Sequence, residues 1–234
     1  MKDSEPHGQG KHGGGDCAVI VFAKAPVPGQ VKTRLAPALG QTGAARLALR
    51  MLQQALAQAV QANIGPVELC CAPNAGDPIL IEAATAAGVM LSEQGEGDLG
   101  QRMQRALERR LASHSRALLI GTDCPSLDAD RLRQAAQALE TRPAVFAPTF
   151  DGGYGLVGLS AALLVRGLDA GEPASSTTPG FARLFDDIDW STTRVMSQTR
   201  ERLAQLQLDA AELPMMHDID EPADLAQVPP AWLE

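Results

Sequence analysis

The chain has 234 residues, 45% hydrophobic and 21% charged, an ordinary balance for one soluble domain with a sizeable core. A net charge of −8 argues against a nucleic-acid backbone or an anionic membrane as the main partner, but leaves room for a small anionic ligand in a local positive pocket. With aromatic residues at 3%, Ala, Leu and Val must fill the core.

Residues 1–16, MKDSEPHGQGKHGGGD, lack an apolar run and read as a flexible tail, not a signal peptide; residues 17–234 then read as one domain. No stretch approaches the ~20 apolar residues of a membrane span, so a cytoplasmic protein is expected. Cys17, Cys70, Cys71 and Cys124 form neither a C-x-x-C pair nor a disulfide framework, and are expected as reduced, buried thiols. Cys70 and Cys71 should point to opposite faces of a strand.

Residues 18–23 are a strand apolar on both faces. The loop behind it sets Lys24, Lys32, Thr33 and Arg34 around prolines and Gly29, and no Asp or Glu occurs between positions 17 and 67. Residues 42–61 repeat Leu47, Met51, Leu52, Leu56 and Val60 at helical spacing. A strand over 67–72, a helix over 78–87 capped by Asp77 and a short strand over 89–92 follow. The helix over 98–112 carries Leu99, Met103, Leu107 and Leu111 on one face. A doubly apolar strand over 117–121 precedes a helix over 128–139 and strands over 144–147 and 155–159. The Pro/Gly/Ser/Thr-rich stretch 168–182 reads as a surface insertion. A helix over 194–208, a last strand over 212–216 and a short helix over 222–226 complete the chain. Alternating strands and helices with doubly apolar strands predict an α/β fold: a mostly parallel open sheet with helices on both faces.

In such a sheet, ligands sit beyond the carboxyl ends of the strands. There the sequence places Lys24, Lys32, Thr33 and Arg34 after the first strand, Asp123 in "GTDCP", Asp151 in "DGGY", and Asp218 and Asp220 in "HDID". Taken singly, the cations are ordinary solvated charges and the aspartates ordinary turn and cap residues. Their convergence on one edge points to a phosphate ester with a divalent metal. Lys and Arg make charge-assisted bonds to phosphate oxygens, and a Gly-containing loop adds backbone N–H groups. Carboxylates hold a hard cation, Mg²⁺ or Mn²⁺.

Rival motifs are fewer. "GEGDLG" at 95–100 follows a short strand, opens a helix and has Asp123 about 20 residues on, which makes an NAD(P)-binding oxidoreductase the alternative from another class. "GQGKHG" at 8–13 precedes the first strand and fails that context. There is no P-loop, no G-x-S-x-G and no Cys/His set with zinc spacing.

"FAKAPVPGQVKTRL", "GDLGQRM", "LLIGTDCPSL", "DGGYGLVGL", "WST" and "DIDEPADL", in this order, resemble the bacterial radical-SAM/selenodomain-associated transferase family, classed with GT-A-type glycosyltransferases and nucleotide-diphospho-sugar transferases. More distantly the chain resembles guanylyltransferases that make phospholactate and molybdenum cofactor nucleotides. The resemblance implies a Rossmann-like GT-A fold and a metal-dependent transferase. Its donor would be a nucleotide sugar or nucleoside triphosphate and its acceptor a small molecule, with neither nucleic acid nor membrane as partner. It implies phosphate contacts from Lys24, Lys32 and Arg34, and a nucleotide neighbour in Arg102. Asp123 would be a metal ligand, with Asp218 as the second and Asp220 as its alternative. Asp151 is the candidate general base, and catalysis is assigned to Asp123, Asp151 and Lys32. Gly155, where the family usually carries an aromatic, and the 168–182 stretch depart from the pattern.

Overall fold

The computed structural model describes residues 15–165 and 181–233, so the expected tail and the expected insertion lie outside the described residues except at their last two positions. Of these, Phe181 and Ala182 are buried in the core.

Strand β1 (Cys17–Lys24) is followed by α1 (Ala36–Ala62), β2 (Val67–Ala72), α2 (Pro78–Ala87) and β3 (Met90–Glu93). Then come α3 (Leu99–Leu111), β4 (Arg116–Ile120), α4 (Ala129–Ala138), β5 (Ala144–Pro148), β6 (Tyr154–Ser160), the short α5 (Ala162–Val165), α6 (Val195–Gln205) and β7 (Ala210–Glu212). Short 3₁₀ turns occupy Thr33–Leu35, Ala182–Phe185, Pro222–Gln227 and Pro230–Trp232.

The strands form one seven-stranded sheet in the order β3-β2-β1-β4-β6-β5-β7. β6 pairs antiparallel with β4 and β5, and the other pairings are parallel. The expected mostly parallel sheet is therefore present. Because β6 returns directly from β5 as a hairpin, the "DGGY" turn falls on the same edge as the carboxyl ends of β1 and β4. Alternation along the strands splits the core in two. Val19, Val21, Leu118 and Ile120 face α1, α2 and α4, whereas Ile20, Phe22, Leu119 and Phe146 face α3, α6 and the Ala182–Phe185 turn. Cys70 and Cys71 fall on these opposite faces as expected, and all four thiols are buried and free.

Local chemistry sets the element ends. Asp77, Asp98 and Asp128 cap α2, α3 and α4 by accepting from backbone N–H groups, and Asp98 and Gln101 form a capping box. α1 starts earlier than its apolar repeat predicts, because Pro37 opens it and Gly40 (φ 70°) absorbs a kink. Val60, expected on the buried stripe, is 44% exposed, since Ala59 takes the inward position beside Leu56. The last strand lies earlier than the expected 212–216: β7 runs Ala210–Glu212 and shares only Glu212 with it. Pro214 has no N–H to continue a ladder, and Met216 makes only an isolated bridge to Thr149. The predicted helix at 222–226 is a 3₁₀ turn.

A third, smaller cluster positions the site. Leu35, just after the basic loop, and Ile219, within "HDID", are both buried against Leu47 and Met51 of α1. Two distant segments are thus pressed together by their apolar residues, and their charged neighbours project from the same place.

Candidate active site

The basic loop leaves β1 and turns through Gly29 (φ 77°) and Lys32, whose backbone is left-handed at φ 47°, ψ 41°. That conformation disfavours a side chain bearing Cβ by about 1–2 kcal/mol, and it persists because tertiary contacts hold Lys32. Its side chain is 7% exposed, and its Nζ lies 2.7 Å from Asp123 Oδ1 and 3.7 Å from Asp220 Oδ1. Arg34 Nη1 donates to the other oxygen of Asp220 at 2.7 Å. Ile219 N donates to the Asp123 carbonyl at 2.8 Å, which ties "HDID" to "GTD" through the backbone. Residues from three distant parts of the chain therefore meet at one edge of the sheet.

They line a cleft of two lobes that share Lys32, Asp123, Tyr154, Gly155 and Asp220. The first lobe, about 450 Å³, lies between Lys24, Phe22, Gln94 and Met103. The second, about 710 Å³, is walled by Thr33, Arg34, Asp151, Asp218, Trp190 and the hydroxyl residues that follow it. Lys24, the last residue of β1, donates from Nζ to the Gln30 carbonyl at 3.2 Å. Asp151 Oδ1 accepts from Thr149 Oγ1 at 2.5 Å and Gly153 N at 2.9 Å, which orients the carboxylate and leaves Oδ2 free.

Two of the expected residues lie apart from the cavity walls. Gly29 serves the turn and packs near Gln41. Arg102 sits on α3, its Nε buried without a hydrogen-bond partner. Leu99, expected to be core, is 41% exposed and lines both lobes. The end of α3 that carries it opens onto the cleft.

Gln94 and Tyr154 were not singled out by the sequence. Gln94 Nε2 donates to the carbonyls of Ala23 and Cys70, both at 3.1 Å, so Oε1 is the group left to meet a ligand. It stands at the carboxyl end of β3, where the strand-end rule finds it. The Tyr154 phenol is buried with no hydrogen-bond partner, and burial pushes its pKa up. Its ring meets Phe146 edge-on at 5.2 Å. No pattern in the sequence marks that missing partner.

Gly155, the departure from the family pattern, has a steric reason: a Cβ there would lie 2.6 Å from Cys124 Sγ and 3.0 Å from Met216 Cε. The "GEGDLG" loop has another use than cradling a dinucleotide. It follows β3, an edge strand, and the Arg105 guanidinium donates to the Glu96 carbonyl within it and to the Gln94 carbonyl just before it.

Among the described residues no group of three or more His, Cys, Asp or Glu converges as a ready metal site. Mg²⁺ bound with a nucleotide asks for less: one or two carboxylates, phosphate oxygens and waters. Asp123 and Asp218 meet that demand, because both line the second lobe. Asp218 makes no ion pair among the described residues, and its carboxyl is raised above the usual range by desolvation and then by the Asp151 charge. Asp220 is already engaged by Lys32 and Arg34.

Residues 55–192 match the family described as an uncharacterized protein conserved in bacteria, DUF2064, over more than half of the chain. The chain belongs to the DUF2064 family. A crystal structure of a candidate nucleotide-diphospho-sugar transferase from Desulfovibrio desulfuricans G20 is similar to this DUF2064 chain, at TM-score 0.74 and 28% identity, covering 88% of this chain and 83% of that one. A nucleotidyl transferase from Methanothermobacter is similar at TM-score 0.61 and 13% identity, over 94% and 99% of the two chains. Glucosyl-3-phosphoglycerate synthase from Mycobacterium tuberculosis, in complex with Mn²⁺, UDP and its product, is similar at TM-score 0.54 and 11% identity, over 92% and 75%. No curated protein matches the chain. The DUF2064 chain thus has the nucleotide-diphospho-sugar transferase fold and is an enzyme of the transferase class.

Proposed function

We propose that this protein transfers a glycosyl group from a nucleotide-diphospho-sugar to a small-molecule acceptor, with Mg²⁺ or Mn²⁺ as cofactor. One arrangement carries the reading: Lys32, buried at the cleft edge, lies between Asp123 and Asp220 while Arg34 engages the far side of Asp220. Two cations held in place by carboxylates are preorganised to meet charge that develops on a leaving phosphate. Lys24, Lys32, Thr33 and Arg34 are the proposed phosphate contacts. Gly29 shapes the turn behind them, and Arg102 supports the nucleotide lobe from α3.

Asp123 and Asp218 are the proposed metal ligands: both oxygens of Asp220 face cations, whereas Asp123 meets Lys32 through Oδ1 alone and keeps Oδ2 for an ion. When bound, the ion would offset charge on the phosphate oxygens. The similarity to a synthase complex holding Mn²⁺ and UDP supports this choice of cofactor. Asp151 is the proposed general base. Its free Oδ2 takes the acceptor hydroxyl proton as the acceptor oxygen bonds the anomeric carbon and the bond to the nucleoside diphosphate breaks.

Nucleotidyl transfer, which releases pyrophosphate, uses the same phosphate cradle and is supported by the fold shared with the Methanothermobacter nucleotidyl transferase. Phosphate analysis after incubation with Mg²⁺ and either nucleotide sugars or nucleoside triphosphates separates the two. Release of a nucleoside diphosphate from the sugar nucleotide supports glycosyl transfer, and pyrophosphate from the triphosphate supports the second reading. Failure of every nucleotide to bind in calorimetry sinks both.

We further read 17–234 as one domain, supported by the single sheet that runs through the described residues. Among them, no helix is long and apolar enough to cross a membrane, in line with a proposed cytoplasmic location. Association with radical-SAM or selenodomain proteins is proposed on the sequence resemblance.

A further inference from the structure

The second lobe differs from the first in its charge. Five carboxylates and two cations line it. Lys32 is occupied by Asp123 and Asp220, and Arg34 by Asp220 and Glu221. Asp151 and Asp218 make no ion pair among the described residues, and in the transfer reading the donor's phosphates take up what Lys32 and Arg34 still offer. A divalent cation arriving with a diphosphate brings no surplus either, because the phosphates carry at least as much negative charge.

The wall opposite is of another kind. Trp190 is held against α3: a Cβ on Gly100 would lie 2.7 Å from its Cζ2. Ser191 keeps a left-handed backbone (φ 63°) beside it, a conformation that persists only where the surroundings enforce it. The backbone of Met196 donates to the Gly152 carbonyl at 2.8 Å, so this rim is tied to the turn that carries Asp151. The lobe thus combines an anchored indole plate, exposed hydroxyls that donate and accept, and carboxylates that accept.

We propose that the second lobe selects an uncharged, polyhydroxylated acceptor, whose C–H face lies on Trp190 and whose hydroxyls donate to Asp151 and its neighbours, and that it rejects phosphorylated or carboxylated acceptors. This rests on the transfer reading above and names the acceptor class for it. Carrying a second anion into this lobe sets like charges against Asp151 and the donor's phosphates, with the metal and both cations already committed to the donor, which disfavours it roughly tenfold or more.

The test is saturation-transfer NMR on the full chain with Mg²⁺, with and without UDP or GDP, using matched probes: glucose against glucose 6-phosphate and glycerol against glycerol 3-phosphate. The neutral member of each pair should receive the stronger saturation. Trp190→Ala should remove that signal, and Trp190→Phe should keep it. Asp151→Asn should raise the signal of the phosphorylated probes, a change that a merely structural role would not produce. A stronger signal from the phosphorylated member, no signal from either neutral probe, or a neutral signal indifferent to Trp190→Ala overturns the proposal. Nucleotide binding, read by calorimetry in the same samples, stands or falls separately. Its loss would overturn the transfer reading while the probe comparison still decides the lobe's preference.

Discussion

At the scale of single residues, Asp218 and Asp220 are two positions apart, yet their surroundings differ. Asp220 accepts from Arg34 and neighbours Lys32, whereas Asp218 crowds Asp151. Asp218→Asn is therefore expected to weaken Mg²⁺-supported nucleotide binding by about tenfold or more while leaving binding in chelator unchanged. Asp220→Asn should weaken both, because it loosens the cations proposed to meet the phosphates. Paired calorimetric titrations with Mg²⁺ and with chelator check this, and identical profiles for the two variants would refute the assignment. Gly155 supports a stability prediction of a different kind. Gly155→Ala should destabilise the fold by about 1–3 kcal/mol through overpacking against Cys124. Adding Cys124→Ala should return much of that loss, since it removes the Sγ the new methyl would meet. A urea-denaturation cycle over the four variants measures the coupling, and strict additivity would show that the clash lies elsewhere.

At the scale of elements, apolar spacing located nearly every helix and strand, because burying one face is the main demand each meets. The misses have local causes. Leu99 obeys the spacing of α3 but stands at the turn that opens onto the cleft, so periodicity assigned it to a core that is not there. The start of α3 near position 98 was legible, whereas the Arg105 clamp on the preceding loop was not, since it depends on how α3 lies over that loop. α6 and β7 are joined by a two-pronged pair, Arg200 Nε to Glu212 Oε1 at 2.7 Å and Nη2 to Oε2 at 2.8 Å. The hydrogen bonds from Arg200 lower the Glu212 pKa in the folded protein. Its contribution to stability is thus complete above the ordinary carboxylate pKa and is lost as pH falls through the lowered folded value. Arg200→Ala should flatten the acid limb of a stability-against-pH curve below about pH 4.5 relative to the parent. A curve whose acid limb is unchanged would mean the pair is not formed in solution.

For the molecule as a whole, a ligand that binds only the folded state stabilises it by about 2.7 kcal/mol at a hundredfold excess over its dissociation constant. For a domain of this size that is roughly 5–10 °C in melting temperature. Nucleoside di- or triphosphates with Mg²⁺ should produce such a shift and NAD none, because the "GEGDLG" loop is filled by Arg105. A thermal-shift panel decides, and an NAD shift without metal would restore the dinucleotide reading.

The sequence alone settled the class of fold and the side chains at its strand ends, since alternation and turn chemistry are local properties of the chain. It also placed cations and carboxylates on the same edge, because strands of one direction share a carboxyl end. Only the tertiary structure decided which of them meet. Lys32 lies against Asp123 and Asp220 because Leu35 and Ile219 are buried in a common cluster on α1. Likewise, Trp190 stands over the second lobe because α3 offers it a glycine. Such pairings join segments up to 186 positions apart, as Arg34 and Asp220 are. They are set by which apolar surfaces pack together, and no local pattern carries that information.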